Sequence, residues 1–197
     1  MITDISQLDF NQLYTYADYL TWQFSERVEL LRGKILLKMP APSRIHQQIS
    51  TVLHGELYLF LRRSACELFS APFDVRLPLP PHRIKSEKAD TVVQPDICVI
   101  CDVSKLDDKG CNGAPELVIE ILSSSNGGRE IKDKFDLYES AGVLEYWVVQ
   151  PTGKFIIRYN LDETGKYIGS RFYTEDDIIE SKVLQGFQIE INQIFGS

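Results

Sequence analysis

The sequence has no apolar run near the roughly 18–20 residues that a membrane-crossing helix needs, so no such helix is expected. It also lacks an excess of positive charge: 28 acids stand against 21 Lys and Arg, a formal net charge of −7. A chain of that sign is a poor non-specific coat for DNA, whose phosphates demand broad basic surface. It remains compatible with an enzyme that holds one phosphate in a cleft through a metal ion. Met1 to Phe10 contains acids and no Lys or Arg ahead of an apolar stretch, so no secretory signal is expected and the reading is cytoplasmic. The chain has no G-x-S-x-G elbow, no Walker A loop, no G-x-G-x-x-G and no H-E-x-x-H.

Histidine and cysteine are scarce, three and four residues, and they do not cluster as zinc ligands do. Cys98 and Cys101 form a C-x-x-C inside the apolar run Ile97–Cys101, where residues three apart point to opposite faces of a strand. Cys66 and Cys111 stand alone in the sequence. The expectation is four buried, reduced thiols in a reducing compartment.

What is present suits a globular domain, with 44% hydrophobic and 25% charged residues in 197. One domain over residues 1–197 is expected, with a core at about 16–159. The acidic C-terminal β extension, 160–197, carries seven acids against three bases. Asn11 to Trp22 reads as a short helix, and Val28 to Lys38 as two strands turning at Arg32-Gly33. Ser43 is a candidate N-cap. Behind it Ile45, Ile49, Val52, Leu53, Leu57, Phe60 and Leu61 recur at helical spacing. His54 falls on the opposite, solvated face and His82 in a loop. Strands are expected at Glu67–Leu77, Gln94–Cys101, Pro115–Leu122, Glu145–Gln150 and Lys154–Tyr159, and a helix from Arg129 to Ser140 ending at Gly142. The fold class is α/β or α+β, a mixed central sheet flanked by helices with extra β-hairpins.

Three acids occupy positions where strands rarely carry charge: Glu29 between Val28 and Leu30, Asp96 at the head of an apolar strand, and Glu120 within Leu117–Leu122. An ionised carboxylate there is costly unless it meets a cation. Period-2 geometry puts Val118, Glu120 and Leu122 on one face, and Leu117, Ile119 and Ile121 on the other. Carboxylates converging at a sheet end form a hard-oxygen site suited to Mg²⁺ or Mn²⁺; the alternatives are acids facing water or a buried salt bridge. Lys134 lies one helical turn from both Ile131 and Tyr138, nearer the buried side than Lys132, and could return its amine to the sheet. The loop Ser123–Gly128, including Ser125, offers hydroxyls and backbone N–H groups to phosphate, or simply caps the helix. His46 follows the turn that contains Arg44 and could approach the locally basic stretch of Arg27, Arg32, Lys34, Lys38 and Arg44, or serve as a cap or packing residue.

Taken in order, Val28–Gly33, Met39–Gln47, Gln94–Ile97, Gly113–Ser123, Lys134–Tyr138, Ala141–Pro151 and Leu184–Phe187 resemble the PD-(D/E)xK nuclease superfamily. Within it they resemble the Uma-type restriction-endonuclease family, from about Tyr16 to Phe195. The resemblance implies a restriction-endonuclease-like core and Mg²⁺- or Mn²⁺-dependent hydrolysis of DNA. In that reading Asp96 and Glu120 bind the metal, the Ile121 carbonyl is a further ligand, and Glu29 is an additional nearby acid. The lysine expected two residues after the acid is replaced by Leu122 and has moved to Lys134. His46, Ser123, Ser125 and Arg44 are candidate substrate contacts. A homodimer is expected of a nuclease that cuts both strands, a view helped by Tyr146-Trp147 if that strand is exposed. The alternatives are an inactive nuclease-fold module binding DNA or protein, and a metal-dependent hydrolase with another substrate.

Overall fold

The apolar runs in the middle of the chain become a six-stranded mixed sheet. The computed structural model describes residues 1–23, 26–37, 42–78, 91–123 and 128–196. In chain order the elements are α1 (Tyr16–Tyr19), β1 (Val28–Leu31), β2 (Lys34–Leu37), α2 (Arg44–Leu61), β3 (Glu67–Ser70), β4 (Val75–Arg76), β5 (Val92–Val93), β6 (Ile97–Ile100), β7 (Leu106–Asp107), β8 (Gly110–Asn112), β9 (Leu117–Ile121), α3 (Gly128–Ala141), β10 (Glu145–Gln150), β11 (Phe155–Leu161), β12 (Tyr167–Gly169), β13 (Ile178–Glu180), β14 (Gln188–Glu190) and α4 (Ile191–Phe195). The central sheet runs β12-β11-β10-β9-β6-β3, and only its β9–β10 pair is parallel, joined through α3. A second six-stranded sheet, β2-β1-β5-β4-β8-β7, and the β13–β14 ribbon complete the framework. The expected mixed sheet with helices and hairpins is therefore present, with one more large sheet than the sequence suggests.

Alternation along β9 divides the core as expected. Leu117, Ile119 and Ile121 join a cluster with Ile49, Leu53 and Leu57 of α2 and Ile194 of α4. Val118 faces the other way, into a cluster with Leu137 and Tyr138 of α3 and Val75 and Cys111 of the second sheet. The Ser43 hydroxyl accepts the His46 N–H and caps α2. Its buried stripe is narrower than the periodicity implies: Ile49, Leu53, Leu57 and Leu61 are buried, while Ile45 and Phe60 are 36% and 40% exposed. Arg32 and Gly33, with φ of 53° and 80°, make the β1–β2 turn, whose positive φ at both positions suits the right-handed twist of a hairpin. Gly142, at φ 87°, ends α3 while the Val143 N–H returns to the Tyr138 carbonyl.

Four expectations need correction. The first helix is only Tyr16–Tyr19, closed by a Thr15–Asp18 capping box. The run at Glu67–Leu77 is split into β3 and β4, which belong to different sheets. Tyr146 and Trp147 are buried, not exposed, because β10 is covered on both faces. Cys66 and Cys101 form a disulfide. The β3–β6 register pairs Glu67 with Ile100, so the next residues outward on the two strands are these cysteines. The inference from four reduced thiols to a reducing compartment does not hold for this pair. Cys98 and Cys111 are free and buried as expected, and burial pushes the Cys111 thiol up to about 11. Lys38 to Pro40 and the loop at 79–90, with His82, lie outside the described residues. Among the described residues no helix is long and apolar enough to cross a membrane.

The acidic C-terminal segment is fastened by one buried carboxylate. Glu145 is fully buried and accepts from Trp147 Nε1 at 2.6 Å, Asn160 Nδ2 at 2.9 Å, and the backbone N–H groups of Lys182 and Val183 at 2.6 and 3.2 Å. Hydrogen bonds to a charged acceptor are worth about 1.5–3 kcal/mol each, and stranding buried donors carries its own cost. Glu145→Ala is expected to lower stability by about 3 kcal/mol, a fall in Tm of roughly 6–12 °C in a calorimetric scan. An unchanged Tm would mean that the segment is held by its apolar residues alone.

Candidate active site

Strand register brings the two leading acids together. β6 and β9 are antiparallel, with Ile97 opposite Ile119, so Asp96 just before β6 lies level with Glu120 near the end of β9. The Asp96 carboxylate accepts the Ile121 N–H through Oδ2 at 2.8 Å. In a strand the N–H and C=O of one residue point to the same side, so the Ile121 carbonyl also faces the Asp96 edge. From α2, one turn behind its cap, His46 places Nε2 at 3.2 Å from the same Asp96 oxygen. Burial pushes the Asp96 carboxyl up. The His46 hydrogen bond and charge, the Ile121 amide and the Lys134 ammonium outweigh it and hold the group below the ordinary aspartate value.

Glu120 is held from the opposite layer. Lys134, on α3, puts its ammonium at 2.5 Å from Glu120 Oε1, and the Tyr138 hydroxyl donates to that oxygen at 2.6 Å. Lys134 and Tyr138 are four residues apart, so α3 presents them side by side. Burial, together with the charges of Glu120 and Glu29, drives the Tyr138 hydroxyl well above its ordinary value, so it remains a donor. Glu29 Oε1 lies 3.4 Å from the Lys134 amine and accepts the Gln94 N–H at 2.8 Å. The side chains of Glu29, Lys134 and Glu120 are 0%, 4% and 8% exposed, which makes this a dry cluster of two carboxylates on one ammonium.

Both acids open into a cleft of about 890 Å³ between α2 and α3. Asp96, Glu120, Ile121, Lys134, His46 and Ser123 line it. Glu29 does not; it sits behind Lys134 and tethers Gln94, two residues before Asp96. Arg44 is also outside the lining, exposed and bonded to Gln48 at 3.4 Å. Ser125 lies outside the described residues. Asp96 Oδ1 and Glu120 Oε2 accept no hydrogen bond among the described residues. No group of three or more His, Cys, Asp or Glu is placed to share a metal among the described residues. Two carboxylates and a peptide carbonyl nonetheless form a donor set that suits Mg²⁺, which commonly keeps waters and takes only one or two carboxylates.

The sequence reading missed Tyr138 as a partner of Glu120, although its i, i+4 spacing from Lys134 was a signal. It also missed Gln94, whose side-chain amide donates to Asp74 at 2.8 Å and whose side-chain oxygen accepts from Arg27 at 3.3 Å. His54 is not on a solvated face: it lines the cleft and pairs with Ser70 at 2.6 Å.

A mixed sheet whose neighbouring strands bring two acids to one end, faced by a lysine from the following helix, defines a nuclease-like fold. Its likeness to the crystal structure of a protein titled "putative nuclease belonging to DUF820", from Anabaena variabilis, has a TM-score of 0.72 at 17% identity. It covers 92% of this chain and 97% of that one. Residues 16–192 match the model of the Uma2 family, described as "Putative restriction endonuclease", and the chain belongs to that family. No curated protein matches the chain.

Removing one member of a buried ion cluster strands the others. Lys134→Met is expected to lower stability by about 3 kcal/mol in urea unfolding. Lys134→Met combined with Glu120→Leu should lose less than the sum of the two single changes, with a coupling of at least ~1 kcal/mol. Strict additivity would show that the contact carries no energy.

Proposed function

We propose that the chain is a divalent-metal-dependent DNA endonuclease, hydrolysing phosphodiester bonds in the cleft between α2 and α3. The observation that supports this most is the pair of oxygens, Asp96 Oδ1 and Glu120 Oε2, that accept no hydrogen bond among the described residues, at one sheet end beside a nearly buried lysine. Asp96, Glu120 and the Ile121 carbonyl would hold Mg²⁺ or Mn²⁺. When bound, the ion supplies Lewis acidity, lowering the pKa of a coordinated water and neutralising charge on the phosphate.

The remaining roles belong to the protein. His46 and the Ile121 amide hold the Asp96 carboxylate in one orientation. Tyr138 and Lys134 hold Glu120 through Oε1, and Oε2 accepts no hydrogen bond among the described residues. The Lys134 ammonium, kept dry by its burial, faces the position of the scissile phosphate and stabilises charge that develops there. Glu29 is a positioning residue: it steadies the Lys134 amine and, through the Gln94 N–H, the segment carrying Asp96. Arg27 and Ser123 line the cleft and would meet flanking phosphate oxygens. The reading of a homodimer now rests on a duplex having two strands to cut, since Tyr146 and Trp147 are buried.

The short Lys134–Glu120 contact, 2.5 Å, also favours a second reading, an inactive nuclease-fold module in which the ion pair is purely structural. Supercoiled plasmid separates the two. With Mg²⁺ or Mn²⁺ the protein is expected to nick it. A chelator should abolish the activity, and Asp96→Asn, Glu120→Gln and Lys134→Ala should each slow it at least ~100-fold. No metal-dependent nicking on plasmids of several sequences, by protein with an intact Tm, would favour the inactive module.

A further inference from the structure

The polar half of the cleft that this chemistry leaves unused is built mainly from α2. Residues 46, 50 and 54 recur every four positions, so His46, Ser50 and His54 line one face of the helix, and all three border the cleft. His46 ends at Asp96. Eight residues further along, about 12 Å of helix rise, His54 meets Ser70 of β3 at 2.6 Å between Nδ1 and Oγ. Neither side chain makes another hydrogen bond among the described residues. The pair therefore keeps a donor in either tautomer. If Oγ–H donates to Nδ1, the other ring nitrogen carries the proton; if Nδ1–H donates to Oγ, the serine hydroxyl is left to donate.

The surroundings suit an anion. Among the described lining residues the acids are Asp96, Glu120 and Glu130, and none comes from α2 or β3. Gly55 beside His54 opens the space, since a Cβ there would meet nothing within 4 Å. Bases have little platform to stack on: among the described lining residues the single Phe, Tyr or Trp is Tyr146, which is buried, and the His46 and His54 rings are engaged with Asp96 and Ser70. We propose that the His54–Ser70 pair is a phosphate subsite for the backbone of one DNA strand, taking a phosphate that neighbours the one at the Asp96–Glu120 position. That closeness follows from the β3–β6 register, which pairs Ser70 with Ile97, the residue after Asp96, while the Ala71 N–H donates to the Asp96 carbonyl at 3.2 Å. The inference rests on the nuclease reading and adds a track to it. The track touches backbone rather than base edges, so it carries no sequence preference of its own.

The test is fluorescence anisotropy with a labelled eight-nucleotide DNA strand and a labelled dinucleotide, in Ca²⁺. His54→Ala should weaken binding of the eight-mer by roughly tenfold, the loss of one hydrogen bond to a charged group. Ser70→Ala should weaken it several-fold, and His54→Gln, which keeps an N–H donor, should recover part of the loss. The dinucleotide is too short to span both positions and should bind wild type and His54→Ala equally. If His54→Ala does not fold, Ser70→Ala and His54→Gln carry the comparison. The track is overturned if wild type does not bind the eight-mer, if the variants bind it like wild type, or if the dinucleotide loses as much as the eight-mer. Plasmid nicking is scored separately: nicking with unchanged anisotropy sinks the track alone, and His54-dependent binding without nicking keeps it and sinks the nuclease.

Discussion

Lys134 is the pivot of this molecule. Its ammonium lies in the interior, paired with the carboxylates of Glu120 and Glu29. A charge in so dry a place must be matched, and the match fixes three layers against one another. Glu120 belongs to the central sheet, Glu29 to the second sheet and Lys134 to α3. Tyr138 adds a second α3 contact to the same Glu120 oxygen. The two large sheets and the helix thus meet at one polar point within an apolar core. That point borders the cleft, so the interaction that locks the layers also fixes one wall of the cleft.

The opposite wall of the cleft is fixed by a different device. α2 is apolar on the stripe Ile49, Leu53, Leu57, Leu61 and lies against the sheet through it. Its N-terminal turn, capped by Ser43, carries His46 to Asp96. Asp96 is therefore gripped from the α2 side and Glu120 from the α3 side, and each retains one oxygen that accepts no hydrogen bond among the described residues. The site is a seam between two helix–sheet layers, which is why neither helix alone could supply it.

Much of this was legible in the sequence, and the illegible parts share a physical cause. Asp96, Glu120 and Lys134 stood out because acids inside aliphatic strands, and a lysine near the buried side of a helix, violate local expectation. The division of β9 into two faces followed from its period of two. The second sheet did not show, because β4, β5 and β7 have two residues each, too few for any periodic signal. His46 with Asp96, His54 with Ser70, and Cys66 with Cys101 are contacts between separate elements. Strand register and helix placement decide them, and a single sequence does not display either. Tyr146 and Trp147 illustrate the same limit: an all-buried strand and an exposed apolar one have the same composition.

The central claim is that Asp96 and Glu120 hold one divalent cation between them. Crystals grown with Mn²⁺ and measured for its anomalous scattering address this directly, without depending on the choice of DNA. The account predicts one strong peak at coordination distance, about 2.1 Å, from an oxygen of each carboxylate, and its loss in Glu120→Gln. A Mn²⁺-saturated crystal with no peak there, and Lys134 still seated on Glu120, would contradict it.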